Sequence, residues 1–176
     1  MDEPSDHDLM ARTARGDGRA FRTLAQRHAG RALSLARRML GNEAAAEEIV
    51  QDALLRVWTN APRWRPEAAF RTWLYRVVVN LCLNARRRAP DLPLDAAANV
   101  ADVAPRADAQ LETRERDQRL AAAINALPAR QRAAIMLTYQ EGFGNADVAA
   151  MLDTTVSSVE TLLVRAKRTL RISLAE

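Results

Sequence analysis

The stretch NADVAAMLDTTVSSVETLLVRAKRTLR, residues 145–171, carries two helical patterns in tandem. Asn145 is a capping residue ahead of a short apolar pattern through Val148, Met151 and Leu152. Asp153-Thr154 follows as a turn, and Asp tolerates the left-handed backbone that a tight turn can demand. A longer helix is expected from Thr155 to Leu174, with Val148, Leu152, Val156, Val159, Leu162, Leu163 and Leu170 closing a small core. Short helix, turn and longer helix is the sequence form of a helix-turn-helix, and equally of a plain hairpin inside a bundle. The basic group Arg165, Lys167, Arg168 and Arg171 on the second helix favours a DNA partner over the plain hairpin.

Upstream of this motif the same periodicity continues. Residues 110–127 read as one helix, and a second starts at Pro128, carries Ile135, Met136 and Tyr139, and closes at Glu141-Gly142. Residues 5–88 read as four helices. Ser5 caps the first with Asp8 in a capping-box position, and Gly16-Asp17-Gly18 ends it. The second runs from Arg19 to Leu40; Gly41 stops it and Asn42 caps the third. On the third, Val50, Leu54, Val57 and Trp58 form an apolar stripe with Ile49 and Ala53 beside it, up to Pro62. The fourth is expected to start at Pro66 and to run through Phe70, Trp73, Leu74, Val77, Val78 and Leu81 into Arg86-Arg87-Arg88. Between the two halves, residues 90–109 hold Pro90, Pro93, Pro105 and several Asp without helical period. They read as a linker tethering two independently folded units, 5–89 and 110–174. The fold class is all-α.

Composition agrees and narrows the function. Gly is scarce, and no apolar run approaches the roughly 18 residues of a membrane span. The start of the chain, with Asp2, Glu3, Asp6 and Asp8, is the opposite of a basic signal peptide, so a cytoplasmic protein is expected. The net charge of +4 is uneven: residues 61–90 alone hold seven Arg against Glu67. Such clustering is the electrostatic footprint of a polyanion. The single cysteine, Cys82, excludes an internal disulfide; flanked by Leu81 and Leu83 it packs as a small hydrophobe or serves as a lone redox thiol. An enzyme is not expected. His7 and His28 are the only histidines, and no Gly-rich phosphate loop, nucleophile elbow or paired-carboxylate motif is present. Asp6, His7 and Asp8 are a weak metal-ligating cluster, and no metal or cofactor is expected.

Three stretches, in this order and at this spacing, carry a family resemblance. They are AEEIVQD at 46–52 followed by Leu54, Val57 and Trp58; FRTWLYR at 70–76 continuing to Asn80 and the Arg triplet; and Leu127-Pro128 with Arg130-Gln131-Arg132, Asp147-Val148-Ala149 and VETLLVRAK at 159–167. From about Asp8 to Arg171 the chain resembles an extracytoplasmic-function (ECF) sigma factor, which retains only the second and fourth conserved regions of the main sigma family. It departs from the family pattern at Asp153, where many members place glycine, and at Asn145-Ala146-Asp147, where an acidic pair is commoner. Glu160 stands where several members have a basic residue, which bears on the promoter sequence read.

The resemblance assigns three surfaces. Glu48, Gln51, Asp52 and Leu55 on the third helix would dock core RNA polymerase, where the residues alone read as a solvated face. Trp64, Arg76 and Asn80 would capture a base flipped from the melted non-template strand of the minus-ten element; Trp64 read alone is equally a core plug. Arg86, Arg87 and Arg88 would hold phosphate. Ser157, Ser158, Glu160, Thr161 and Arg165, with Lys167 and Arg168 near phosphate, would face duplex DNA at the minus-thirty-five element. Core RNA polymerase, promoter DNA and an anti-sigma factor are the implied partners. Two other readings stand beside it: a stand-alone helix-turn-helix regulator whose N-terminal bundle senses a ligand, and a sigma mimic that sequesters an anti-sigma protein without touching DNA.

Overall fold

The computed structural model of the chain describes residues 3–88 and 109–175, the side chains of 109–115 excepted. The expected linker, with Pro90, Pro93 and Pro105, lies outside the described residues. Every regular element among the described residues is helical. They are α1 (Asp6–Thr13), α2 (Gly18–Leu40), α3 (Glu43–Asn60), α4 (Phe70–Arg88), α5 (Ala109–Ala126), α6 (Ala129–Ile135), α7 (Asn145–Met151) and α8 (Val156–Ser173). A 3₁₀ turn at Ala61–Arg63 follows α3, and a π-helical turn at Met136–Gln140 follows α6.

The helix starts follow from local chemistry. The Ser5 hydroxyl accepts from the Asp8 amide at 3.1 Å while the Asp8 carboxylate accepts from the Ser5 amide, closing the capping box on α1. The Ser5 hydroxyl, which donates to the Asp8 carboxylate at 2.6 Å, and then the Ser5 amide hold that carboxyl below its ordinary range. Asp17 accepts from the amides of Arg19 and Ala20 to cap α2, Asn42 accepts from Ala45 to cap α3, and Thr155 accepts from Ser158 to cap α8. Gly41, at φ +69°, ends α2 in the left-handed conformation a Cβ would strain. Asp153 takes the same region at φ +47°, the only non-glycine among the described residues to do so.

Two expected starts move. Helix α4 begins at Phe70, since Pro66, Glu67 and Ala68 form a turn in which the Glu67 amide bonds the Arg65 carbonyl. At α7 the N-cap is Gly144, without a side-chain cap bond, and Asn145 is the first helical residue. The α3 stripe also shifts: Ala46, Val50, Ala53 and Val57 are buried, whereas Trp58 is 38% exposed and meets Phe21 edge-on at 5.3 Å. Val156 is exposed too. The buried stripe of α8 is Val159, Leu163 and Ala166, and Val156 sits roughly 50° off its centre at 100° per residue.

The buried side chains form one continuous core across both halves. Helix α1 lies on α2, α2 packs on α3, and α4 packs on both. The opposite side of α4 meets α7 and α6, and α8 closes the second half against α6, α7 and α5. The two units are therefore packed together rather than standing apart. Helix α4 explains this: besides Phe70, Leu74, Val78 and Cys82 it buries Tyr75 and Val79, so its apolar surface is too wide for α2 and α3 alone.

Candidate nucleic-acid interface

On α3, Glu48, Gln51 and Leu55 are exposed and Asp52 is half-buried. Their spacing of three and four puts all four on one helix face. Asp52 holds Arg56 through two hydrogen bonds of 3.1 Å, which orients the carboxylate along the helix. Leu55 is 59% exposed amid these polar groups, an apolar centre with a charged surround. That arrangement fits a protein-docking surface.

On α4, Arg76 and Asn80 share one cleft, of about 210 Å³, with Arg56, Trp73, Val77, Leu81 and Asn84. The cleft thus offers an aromatic face, two guanidinium groups and two carboxamides. These are the groups that stack on a base, hold its phosphate and read its edge. Trp64 is not among the lining residues. It is half-buried against the core, its ring 5.7 Å from that of His7, and the cleft's aromatic is Trp73. The sequence signal for Trp73 was its position three before Arg76 on the same helix, masked by the apolar period it also fits.

The Arg triplet divides. Arg86 is half-buried and donates to the Met39 carbonyl at 2.8 Å, capping the last turn of α2. Arg87 and Arg88 are exposed, with Arg87 hydrogen-bonded to Asn84 on the cleft's rim.

On α8, Ser157, Ser158, Glu160, Thr161, Arg165, Lys167 and Arg168 are all exposed, away from Val159, Leu163 and Ala166. Ser158 is tied to the Thr155 cap, and Thr161 donates to the Ser157 carbonyl at 3.0 Å. The Lys167 ammonium lies 4.8 Å above the Tyr139 ring, which the π turn holds outward. Arg130 on α6 donates to the Leu152 carbonyl at 2.7 Å and so anchors the turn between α7 and α8. This is the geometry of a helix-turn-helix with a presented second helix.

The two histidines and the lone cysteine have structural surroundings. Asp6 accepts from Arg27 at 3.0 Å and meets His28 at 2.7 Å, fastening α1 to α2, while His28 lies edge-on to Phe70. Asp6 and Asp8 are thus engaged by different partners, and among the described residues no three His, Cys, Asp or Glu side chains converge on a metal-sized site. Cys82 is buried, and burial pushes its thiol up to about 12. Among the described residues no helix is long and apolar enough to cross a membrane.

Comparison with known proteins finds a family match in each half of the chain. The sigma-70 region 2 family model matches residues 24–90, and the sigma-70 region 4 model matches residues 117–170. The chain is 38% identical over 167 residues to the ECF RNA polymerase sigma factor SigM of Mycobacterium tuberculosis, covering 94% of this chain and 82% of SigM. It is 30% identical over 174 residues to SigW of Bacillus subtilis, with 92% of each chain covered. CnrH of Cupriavidus metallidurans is 32% identical over 176 residues, covering 94% of this chain and 92% of CnrH. The solved structure of CnrH in complex with the cytosolic domain of CnrY matches at TM-score 0.72 and 30% identity, covering 98% of each chain. A stand-alone regulator with a sensory bundle is disfavoured, because the N-terminal half itself matches a sigma region. With both regions matched, in order, and relatives aligned along nearly the whole chain, the protein belongs to the ECF group of the sigma-70 family of RNA polymerase sigma factors.

Proposed function

We propose that residues 5–89 grip core RNA polymerase and one melted strand, and that residues 110–174 read duplex DNA. The observation carrying this reading is the cleft on α4, which gathers Trp73, Arg76, Asn80 and Asn84 with Arg56 of α3. Glu48, Gln51, Asp52 and Leu55 dock the polymerase. Asn80 reads the edge of an extruded base, Arg76 holds its backbone, and Trp73 takes the stacking position first assigned to Trp64. Arg87 and Arg88 bind phosphate, while Arg86 divides its role with the α2 cap. Capturing the base offsets an unstacking cost of a few kcal/mol, so opening needs no ATP and no covalent step. On α8, Ser157, Ser158, Glu160, Thr161 and Arg165 face the major groove, with Lys167 and Arg168 beside phosphate.

The chain supplies binding and positioning and has no catalysis of its own; bond making belongs to the polymerase, and the protein works where the polymerase is, in the cytoplasm. An anti-sigma factor is the expected regulator. Its support is CnrH, solved in complex with the cytosolic domain of CnrY. Run-off transcription with purified core polymerase over a promoter library tests the reading. Transcripts from a defined subset of promoters are expected, and initiation no higher than with core alone would refute it.

A further inference from the structure

Two surfaces meet at one ion pair. Asp52 stands with Glu48, Gln51 and Leu55 on one face of α3, and its carboxylate accepts twice from Arg56, at 3.1 Å each. Among the described residues, Arg56 is also the one lining the α4 cleft that α4 does not supply; Trp73, Arg76, Asn80 and Asn84 all belong to that helix. At 100° per residue Arg56 lies about 40° round α3 from Asp52, away from the docking face and beside the cleft. Its bonds to Asp52 use Nε and one N–H of a terminal nitrogen. The rest of the guanidinium fork has no protein acceptor among the described residues.

We propose that Arg56 is a phosphate contact for the captured strand, held in reserve by Asp52, and that a polymerase Arg or Lys taking Asp52 on the docking face releases it. This rests on reading the α3 face as the polymerase dock and the cleft as the strand site. Arg56 joins the two, as a residue to which neither surface by itself gives a role.

An acid four residues ahead of a base also occurs on helices as a plain stabilising pair. Here the base lines a cleft of strand-binding chemistry and the acid belongs to a docking face. The side chains of Arg56 and Asp52 are 50% and 43% exposed, so the pair is weak and readily exchanges partners. The same weakness bounds the coupling at about five-fold. A buried pair would resist the exchange. Once Asp52 is engaged elsewhere, Arg56 gains effective charge beside the cleft even before its side chain moves, because the carboxylate that cancelled it is itself cancelled. Charge and mobility then act in one direction, toward a tighter hold on strand phosphate. Such coupling is reciprocal, so a bound strand raises polymerase affinity by the same factor.

The test uses the full chain, a labelled twenty-nucleotide oligo(dT) and purified core polymerase. Asp52→Asn removes the carboxylate charge and should tighten oligo(dT) binding by about two- to five-fold. Arg56→Gln should weaken binding and lower the slope of log affinity against log salt by about 0.7, one single-strand phosphate. Arg56→Lys should restore both. Adding Asp52→Asn to the Arg56→Gln chain should change nothing. Glu47→Gln, which removes an exposed charge of α3 outside both surfaces, should leave oligo(dT) binding unchanged. Oligo(dT) should also raise the core affinity of the wild-type chain more than that of Arg56→Gln, the DNA binding of core itself being common to both. Unchanged binding with Asp52→Asn, equal tightening in the Arg56→Gln chain, or an equal gain in core affinity for both chains overturns the role of Arg56 alone. Absence of oligo(dT) binding in every form overturns the strand reading of the cleft and the inference with it.

Discussion

Arg132 on α6 spans from the Met39 carbonyl of α2, at 2.9 Å, to the Ile124 carbonyl at the end of α5, at 3.1 Å. It also bonds the carbonyls of Asn125 and Leu127, so one buried guanidinium closes the ends of two helices. Burial, with Arg86 nearby, pushes its pKa down to about 10, which leaves it charged at neutral pH.

Arg132→Met keeps the volume and removes every donor. The Asn125 and Leu127 carbonyls would lose this donor, each costing about 1–3 kcal/mol to the extent that water does not replace it, while Ile124 keeps the Leu127 amide. A loss of about 2–4 kcal/mol in urea unfolding is expected. A change within about 0.5 kcal/mol would show that these carbonyls find water instead.

Cys82 gives an alkaline signature. Its thiol is raised from an ordinary 9 to about 12 by burial, so the folded chain keeps a proton that the unfolded chain releases first. That contribution is complete below pH 9 and is lost as pH climbs toward 12. Between pH 9 and 10 the unfolding free energy should fall, with a slope on the order of 1 kcal/mol per pH unit at most. Cys82→Ala should flatten this slope even where it lowers stability overall. Native protein should also resist thiol-labelling reagents at pH 8, and stoichiometric labelling without denaturant would contradict the burial argument.

Asp52→Arg reverses the charge on the polymerase face and breaks the Asp52–Arg56 pair. Loss of that exposed pair should change stability by less than about 1 kcal/mol. Affinity for core polymerase should drop at least ten-fold. If core affinity is unchanged, the docking face lies elsewhere.

The two tryptophans separate binding from packing. Trp73→Ala and Asn80→Ala should each weaken capture of a single-stranded minus-ten oligonucleotide by about 1–3 kcal/mol. Trp64→Ala should instead lower the unfolding midpoint and leave oligonucleotide affinity within two-fold. Permanganate footprinting of the open promoter gives a second readout: reduced thymine reactivity with Trp73→Ala but not Trp64→Ala. The opposite pattern would return the stacking role to Trp64.

Local chemistry made much of the fold legible. Ser5 with Asp8 and Asn42 each cap within three residues, so short-range sequence suffices to find them. Pro66 misled because the expected first-turn proline sits in a separate turn four residues before α4. Trp58 and Val156 misled because apolar period alone does not tell a stripe's centre from its flank. That Glu48, Gln51, Asp52 and Leu55 lie off the buried stripe of α3, and Ser157, Glu160, Thr161 and Arg165 off that of α8, was readable from periodicity. The contacts of Glu141 and Asp153 were not, since their partners lie 66 to 77 residues away in sequence. Nor does any residue pattern announce the π turn that precedes Glu141.

The Met39 carbonyl accepts from Arg86 as well as from Arg132, one donor from each half of the chain. Arg86 lies on α4, packed with α2, and by itself keeps that carbonyl satisfied, while Arg132 also holds the carbonyls of Ile124 and Leu127 in its own half. Parting the two halves would leave neither side with an orphaned polar group at this point. Redundancy of that kind removes the desolvation penalty that a single shared bond would impose on separating the halves.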